Sequence, residues 1–312
     1  MHIQEEKIVL DIEVPEGDVS KDMDVFYNPE MVHNRNVSVA VLSALMNGGT
    51  YCDVEFDSLK SWKIALPLCG SGIRGLRFLT ELEVGRIAKF YVNDKRIGFE
   101  KDFKELAAVN GVSLDLVPKE TKGQKLEGSD LDIKVFEKDA ELFLLDNRHF
   151  DYIDIDPFGS PNPFLASSIA RLTRGGVLAI TATDTAAFTG TYKSVTRRKY
   201  WSSSMYNYMK HNVGLRILIR KVQLLGAQFD KALIPILSYH KGHYYRVFFV
   251  NKNTKTACDQ VLKQHKYFLY DKKGIDFKVS YDTVWIDGDR RTEEAKVRPG
   301  VQVAGPLWSG EL

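Results

Sequence analysis

Short apolar or β-branched runs alternate with helix-like segments along this 312-residue chain, and that alternation constrains its fold more than any other feature. The runs are Lys63–Leu68, Lys89–Asn93, Ile133–Glu137, Phe150–Ile155 and Val177–Thr181, separated by Ile73–Leu82, Ile97–Asn110, Ala140–Leu145 and Pro163–Leu172. Strands joined by crossover helices predict a doubly wound parallel sheet. An amphipathic helix follows, with Leu215, Leu218, Val222 and Leu225 on one face and Arg216 and Arg220 opposite. Ala232–Tyr239 and Tyr244–Asn251 are separated only by His240-Lys241-Gly242-His243, too short for anything but an antiparallel connection. Parallel strands closed by an antiparallel pair are expected of a class I (Rossmann-like) methyltransferase sheet; a dehydrogenase sheet would usually finish with another parallel crossover. Residues 1–252 are therefore expected to form one α/β domain, with residues 1–24 a strand or hairpin ahead of the sheet. Residues 253–312 are expected to form a small C-terminal α+β domain with a short helix at Cys258–His265 and a turn at Lys272-Lys273-Gly274.

Composition narrows the partners. Lys and Arg number 43 against 41 Asp and Glu, a net charge of +2, so any nucleic acid must be met by a local patch. Cys52, Cys69 and Cys258 are far apart and form no Cys-x-x-Cys pair, which argues against a disulfide framework and a cysteine zinc site; no metal is expected. Met1–Leu10 is charged and lacks the apolar core of a signal peptide, and no apolar run approaches the roughly 18 residues of a membrane span. A cytoplasmic protein with no membrane partner is expected, and nothing calls for an obligate protein partner.

Directly after the first strand comes Cys69-Gly70-Ser71-Gly72-Ile73-Arg74-Gly75. Gly70 and Gly72 let the backbone turn sharply and approach a ligand. Asp94 ends the second strand, 22 residues after Gly72, where an acid can accept from both ribose hydroxyls. Asp139 with Ala140 closes the third strand, the usual place for a carboxylate near an adenine amine. These positions predict an adenosine-bearing cofactor. The turn lacks the third, correctly spaced glycine of a dinucleotide fingerprint, so S-adenosylmethionine fits better than NAD.

The fourth strand runs into Asp154-Ile-Asp-Pro-Phe-Gly-Ser-Pro161. Asp156, the Pro157 carbonyl and Phe158 then sit at the carboxyl edge of the sheet, where open α/β folds bind ligands. The carboxylate and carbonyl can accept the hydrogens of an aryl amine while the ring stacks on its base. A nucleobase amine is a poor nucleophile because its lone pair is delocalised; two acceptors localise that pair and orient it, worth roughly 7–11 kcal/mol in favourable cases. Asp156 can also take the departing proton. A strand end followed by a Pro-Gly-Ser turn, with Asp156 capping a helix from Pro161, would share these residue types.

Between Thr185 and Phe229 there is no Asp or Glu. Lys193, Arg197, Arg198, Lys199, Lys210, Arg216, Arg220 and Lys221 are interleaved there with Phe188, Tyr192, Tyr200, Trp201, Tyr206 and Tyr208. Cations for phosphates and aromatics for splayed bases are an RNA-binding footprint, with Lys193, Arg197, Arg198, Lys199, Tyr200, Lys210 and Arg216 as the candidate contacts.

Together with Phe26-Tyr27-Asn28-Pro29, Asn34-Arg35, Gly72-Ile-Arg-Gly75, Thr181-Ala-Thr-Asp-Thr185, Arg198-Lys-Tyr200, Gly214-Leu-Arg216 and Gly305-Pro-Leu-Trp308, the run at 154–161 resembles the tRNA (guanine-26-N2)-dimethyltransferases, archaeal members especially. The resemblance implies transfer of one or two methyl groups from S-adenosylmethionine to N2 of guanine 26 in tRNA, by a methyltransferase domain assisted by a C-terminal domain. It implies that Arg35, Arg74, Asp94, Asp139 and Ala140 bind the cofactor, that Asp156 is the catalytic carboxylate with the Pro157 carbonyl and Phe158 beside it, and that Phe26 walls the pocket. Leu66, Asn36 and Asn212 stand where the family usually has acids, and Thr189 and Thr196 where cysteines are common. Only Cys258 remains of the paired cysteines that hold zinc in many relatives. Two readings stay open: an amino-methyltransferase for another base or tRNA position, and a catalytically weakened tRNA-binding homologue, which the lost acids at Leu66, Asn36 and Asn212 keep in play.

Overall fold

The computed structural model describes residues 2–11, 27–83, 85–114, 131–271, 277–280 and 301–308. In chain order the elements are β1 (His2–Glu5), β2 (Ile8–Asp11), α1 (Val32–Met46), β3 (Gly49–Tyr51), β4 (Val54–Phe56), β5 (Trp62–Leu66), α2 (Ile73–Glu81), β6 (Ile87–Asn93), α3 (Phe99–Val109), β7 (Asp132–Phe136), α4 (Ala140–Asp146) and β8 (Phe150–Ile155). Then come α5 (Asn162–Arg171), β9 (Leu172–Ala182), α6 (Lys193–Tyr200), α7 (Lys210–Ala227), β10 (Ala232–Lys241), β11 (Tyr244–Lys252), α8 (Lys255–Lys263), β12 (His265–Asp271), β13 (Phe277–Ser280) and β14 (Val301–Trp308). The main sheet has seven strands in the order β10-β11-β9-β8-β5-β6-β7. The chain divides into two compact units, residues 1–156 with 170–179, and residues 157–169 with 180–312.

In the first unit, β5 pairs parallel with β6 and β8, and β6 with β7. Every residue of β8 is buried, as expected of a parallel strand covered on both faces. The chain steps from β5 outward to β7 and returns to β8 on the other side of β5, so the switch point lies between the carboxyl ends of β5 and β8. Both expected site loops, 67–72 and the one that begins at Asp156, leave from there. β5 stops at Leu66 because Pro67 has no N–H to continue the ladder. α2 starts after Gly72 at φ 85°, where an added Cβ would lie 2.6 Å from Phe103. β9 begins at Leu172, earlier than the apolar run suggested; the Phe150 carbonyl (3.1 Å) and Asp151 Oδ1 (3.0 Å) share the single proton of the Thr173 hydroxyl, fastening this polar segment beside β8. The expected N-terminal hairpin is present as β1 and β2, paired antiparallel. Helix α1 and hairpin β3-β4 had no clear signature in the sequence.

In the second unit, β10 and β11 form the expected antiparallel pair. α7 is buried nearly all round, not on one face alone: Leu215, Leu218 and Val222 are buried, and so are Ile217, Ile219 and Lys221. Gly214 lets it approach closely, since a Cβ there would lie 2.8 Å from Phe188 and 2.9 Å from the Tyr245 hydroxyl. The expected C-terminal helix is α8, whose Ala257, Cys258 and Val261 pack with Ala232. β12 pairs antiparallel with β13 and β14. The turn expected at residues 272–274 lies outside the described residues.

Candidate active site and nucleic-acid interface

The loops after β5, β6, β7 and β8 carry the chemistry of the first unit. Asn93, buried at the end of β6, ties three of them together. Its amide nitrogen donates to the Pro67 and Lys138 carbonyls, both at 2.9 Å, and its oxygen accepts from the Lys138 N–H at 3.0 Å. Asp94 follows directly. Its Oδ2 accepts from the Gly70 N–H at 2.8 Å and its Oδ1 from the Arg96 N–H at 3.1 Å. The Gly70 turn and the acid therefore meet. Each carboxylate oxygen retains a lone pair for a ribose hydroxyl. Asp139 caps α4, its Oδ1 accepting from the Glu141 and Leu142 N–H groups, which leaves Oδ2 as an acceptor; Ala140 is buried beside it. A glycine turn flanked by two acids offers acceptors that suit an uncharged adenosine better than a pyrophosphate.

Arg74 does not point to that turn alone. Its guanidinium is buried and donates to Asp156 Oδ2, to Asn34 Oδ1 (2.9 Å) and to Ser38 Oγ (2.8 Å), with Asp154 Oδ2 at 3.4 Å. Asp154 in turn accepts from the Tyr152 hydroxyl at 2.7 Å. The family resemblance implies that Arg74 binds the cofactor; in the structure it is also bonded to the carboxylate at the end of β8. With Oδ2 so held, Asp156 keeps Oδ1 as an acceptor. Asn34, Ser38, Tyr152 and Asp154 went unmarked in the sequence as a group, because α1 and β8 meet only in three dimensions.

Arg35 is held by an acid of β1. It is buried, grips Glu5 of β1 through two hydrogen bonds of 2.7 and 2.5 Å, and stacks over Tyr27. Arg77 reaches the same Glu5 (2.9 Å), Asn36 (2.5 Å) and Glu81 (2.6 Å). Burial alone would raise the Glu5 carboxyl, but Arg35 and Arg77 hold it below its ordinary value. Asn36 therefore takes an arginine hydrogen bond where the family acid would stand, and Glu5 supplies the charge. Leu66, another departure, is buried in β5. Phe26 lies outside the described residues.

In the second unit, the chain continues from Pro157 to Phe158, which is 55% exposed. Its loop is clamped: Thr183 Oγ1 accepts from the Gly159 N–H at 2.6 Å, and the Gly159 carbonyl from the Thr183 N–H at 3.0 Å. The Tyr200 hydroxyl donates to Asp184 (2.7 Å) and, having one proton, accepts from Ser160 (2.8 Å). Burial raises the Asp184 carboxyl, opposed by the Tyr200 hydrogen bond. Burial, and then Asp184, push the Tyr200 phenol far above its usual range. Tyr200 is 0% exposed, so the expectation that it contacts RNA is corrected: its ring packs on Phe188 and its hydroxyl holds Ser160 of the Phe158 loop.

The other expected RNA contacts divide. Lys193, Arg197, Arg198 and Lys199 are exposed on α6, and Lys210 lies partly exposed near Tyr206. Arg216 is half-buried, donates through Nε to Asn212 (2.9 Å), and burial lowers its pKa. Within α7 it is thus tied to Asn212, one of the positions where the resemblance implies an acid. Phe188 is buried, whereas Tyr192, Trp201, Tyr206 and Tyr208 are exposed. Thr196 is buried, and its hydroxyl donates to the Ala187 carbonyl. Among the described residues, no group of three or more His, Cys, Asp or Glu could hold a metal ion, and no helix is long and apolar enough to cross a membrane.

The chain matches the family model described as N2,N2-dimethylguanosine tRNA methyltransferase over residues 2–312. It is 35% identical over 304 residues to the tRNA (guanine(26)-N(2)/guanine(27)-N(2))-dimethyltransferase of Aquifex aeolicus, covering 96% of this chain and 69% of that protein. The tRNA (guanine(26)-N(2))-dimethyltransferase of Methanocaldococcus jannaschii is 32% identical over 315 residues, covering 100% and 73%. Among solved structures, the complex of Trm1 from Pyrococcus horikoshii with S-adenosyl-L-methionine superposes with a TM-score of 0.76 at 29% identity, covering 99% of this chain and 73% of that one.

Proposed function

The chain belongs to the N2,N2-dimethylguanosine tRNA methyltransferase family, and on that premise we propose that it transfers one or two methyl groups from S-adenosylmethionine to N2 of guanine 26 in tRNA. The observation that carries the site assignment is the Asp156 carboxylate, fixed through Oδ2 by Arg74 and continued directly by Pro157 and an exposed Phe158.

Gly70, Gly72, Asp94, Asp139 and Ala140 hold the cofactor, Asp94 by its ribose and Asp139 by its adenine amine. Bound there, the cofactor supplies an electrophilic methyl group on a sulfonium centre. The guanine leaves its stack, which costs a few kcal/mol, and Phe158 offsets part of that by stacking on the base. Asp156 Oδ1 and the Pro157 carbonyl accept the two hydrogens of N2, localise its lone pair, and orient it. Asp156 then takes the proton that N2 loses. Arg74 is a positioning residue for Asp156. Residues 1–252 form the methyltransferase domain, and 253–312 assist in holding tRNA, with Lys193, Arg197, Arg198, Lys199 and Lys210 facing phosphates.

Single-turnover methylation of unmodified tRNA tests this reading. D156N should abolish transfer while retaining tRNA binding; near-normal turnover would remove Asp156 from the chemistry. The Aquifex relative is named for guanines 26 and 27, so mapping N2-methylguanosine in the product decides between one position and two. Labelled methyl transfer by the wild type also separates an enzyme from a tRNA-binding homologue.

A further inference from the structure

Trp201 ends α6 in a left-handed backbone conformation, φ 53° and ψ 39°. For a bulky side chain that region is strained, and it persists only where neighbouring groups hold it. Two adjacent residues of α7 do so. Arg220 Nη1 donates to the Trp201 carbonyl at 3.0 Å, and Lys221 Nζ lies 3.0 Å from the indole centroid. Lys221 is only 5% exposed. Burial, reinforced by Arg220, lowers its pKa to about 8. The indole itself stays 43% exposed. One ring face is thus taken by a buried cation, and the ring is fixed in place with part of its surface open to solvent. The turn of helix before it presents Arg197, Arg198 and Lys199 to solvent, inside a stretch without an acid to repel phosphate.

We propose that Trp201 is a preformed platform on which one unstacked nucleobase of the tRNA stacks, while Arg197, Arg198 and Lys199 take the phosphates around it. Every base has a flat π-face, and a ring already immobilised loses little entropy on stacking. The strained backbone and the buried lysine serve to hold the indole at the surface, not to fill a core. This rests on the reading of α6 as a tRNA-facing surface, and the test separates the two.

Binding of unmodified tRNA is measured across a salt series for the wild type, W201A, W201F and R197A/R198A. W201A should weaken binding on the order of tenfold, the size of one base stack. Its slope of log affinity against log salt should be unchanged, because stacking releases no counterions. R197A/R198A should reduce that slope by roughly 0.7–0.9 for each phosphate that is no longer neutralised. W201F, which keeps a ring, should lose much less than W201A. A W201A protein that binds like the wild type, while R197A/R198A weakens binding, overturns the platform and leaves the surface standing. A changed salt slope in W201A also overturns it, since the indole would then merely be positioning α6. If neither variant weakens binding, the surface reading falls and the platform with it. Tryptophan emission gives a readout independent of W201A folding: tRNA should quench the wild type more than W201F, and equal quenching overturns the proposal.

Discussion

Replacing Arg74 by methionine should destabilise the protein by about 3–5 kcal/mol, the cost of removing one partner from a buried ion pair. The guanidinium donates to Asp154, Asp156, Asn34 and Ser38, and its side chain is 8% exposed. Methionine retains comparable bulk but no donor, so two carboxylates lose their cation and two polar atoms lose a hydrogen bond. At about 2–4 °C per kcal/mol for a domain somewhat smaller than this chain, Tm should fall by roughly 6–20 °C. Because the uncompensated acids carry most of that cost, R74M should cost less than half as much in a D154N/D156N background. The Asp156 side chain is 18% exposed and partly screened, whereas that of Asp154 is 1% exposed. The larger share of the coupling is therefore expected at Asp154. Urea unfolding of the wild type, R74M, D154N/D156N and the triple variant closes the cycle. Costs for R74M that agree within about 0.5 kcal/mol in the two backgrounds would mean no coupling and refute the argument. A calorimetric titration of R74M with S-adenosylmethionine then tells a positioning role from cofactor binding, since a residue acting through Asp156 should lower kcat far more than cofactor affinity.

Three further outcomes follow from the same contacts. G72A should lose about 2–4 kcal/mol, because alanine at φ 85° is strained and its Cβ would meet Phe103 at 2.6 Å; an unchanged Tm would sink this. N93A should lose about 2–4 kcal/mol, and N93D more, since a carboxylate cannot donate to the Pro67 and Lys138 carbonyls; urea midpoints in the opposite order would contradict the clamp. Burial, with a smaller effect of Arg220, pushes His265 from 6.5 down to about 3, and its ring bonds Gln223 at 2.9 Å. The folded value lies below the unfolded one, so the unfolded chain binds the proton more readily: the contribution is complete above about 6.5 and is lost as the pH falls towards 3. Between pH 7 and 5 the wild type should lose about 1–2 kcal/mol that H265Q does not, read from urea unfolding at each pH.

The strand-helix alternation, the antiparallel closing pair and the positions of Gly70, Asp94 and Asp156 were legible in the sequence, because each rests on a local period or a motif a few residues long. Proline and glycine set some ends, as at Pro67 and Gly72, whereas β9 begins well before its apolar run. Partnership was a different matter. Glu5 lies 30 residues from Arg35 and 72 from Arg77, and Arg74 lies 82 from Asp156, so no local pattern pairs them. The acid-free stretch announced a basic surface but could not say which of its residues face solvent. Tyr200 turned inward and Arg216 is half-buried, while Trp201 was held outward by Arg220 and Lys221. Side-chain periodicity therefore determined the sheet and the order of its loops. Which charges are desolvated, and what neutralises them, was decided only by tertiary structure, because burial and pairing depend on segments distant in the chain.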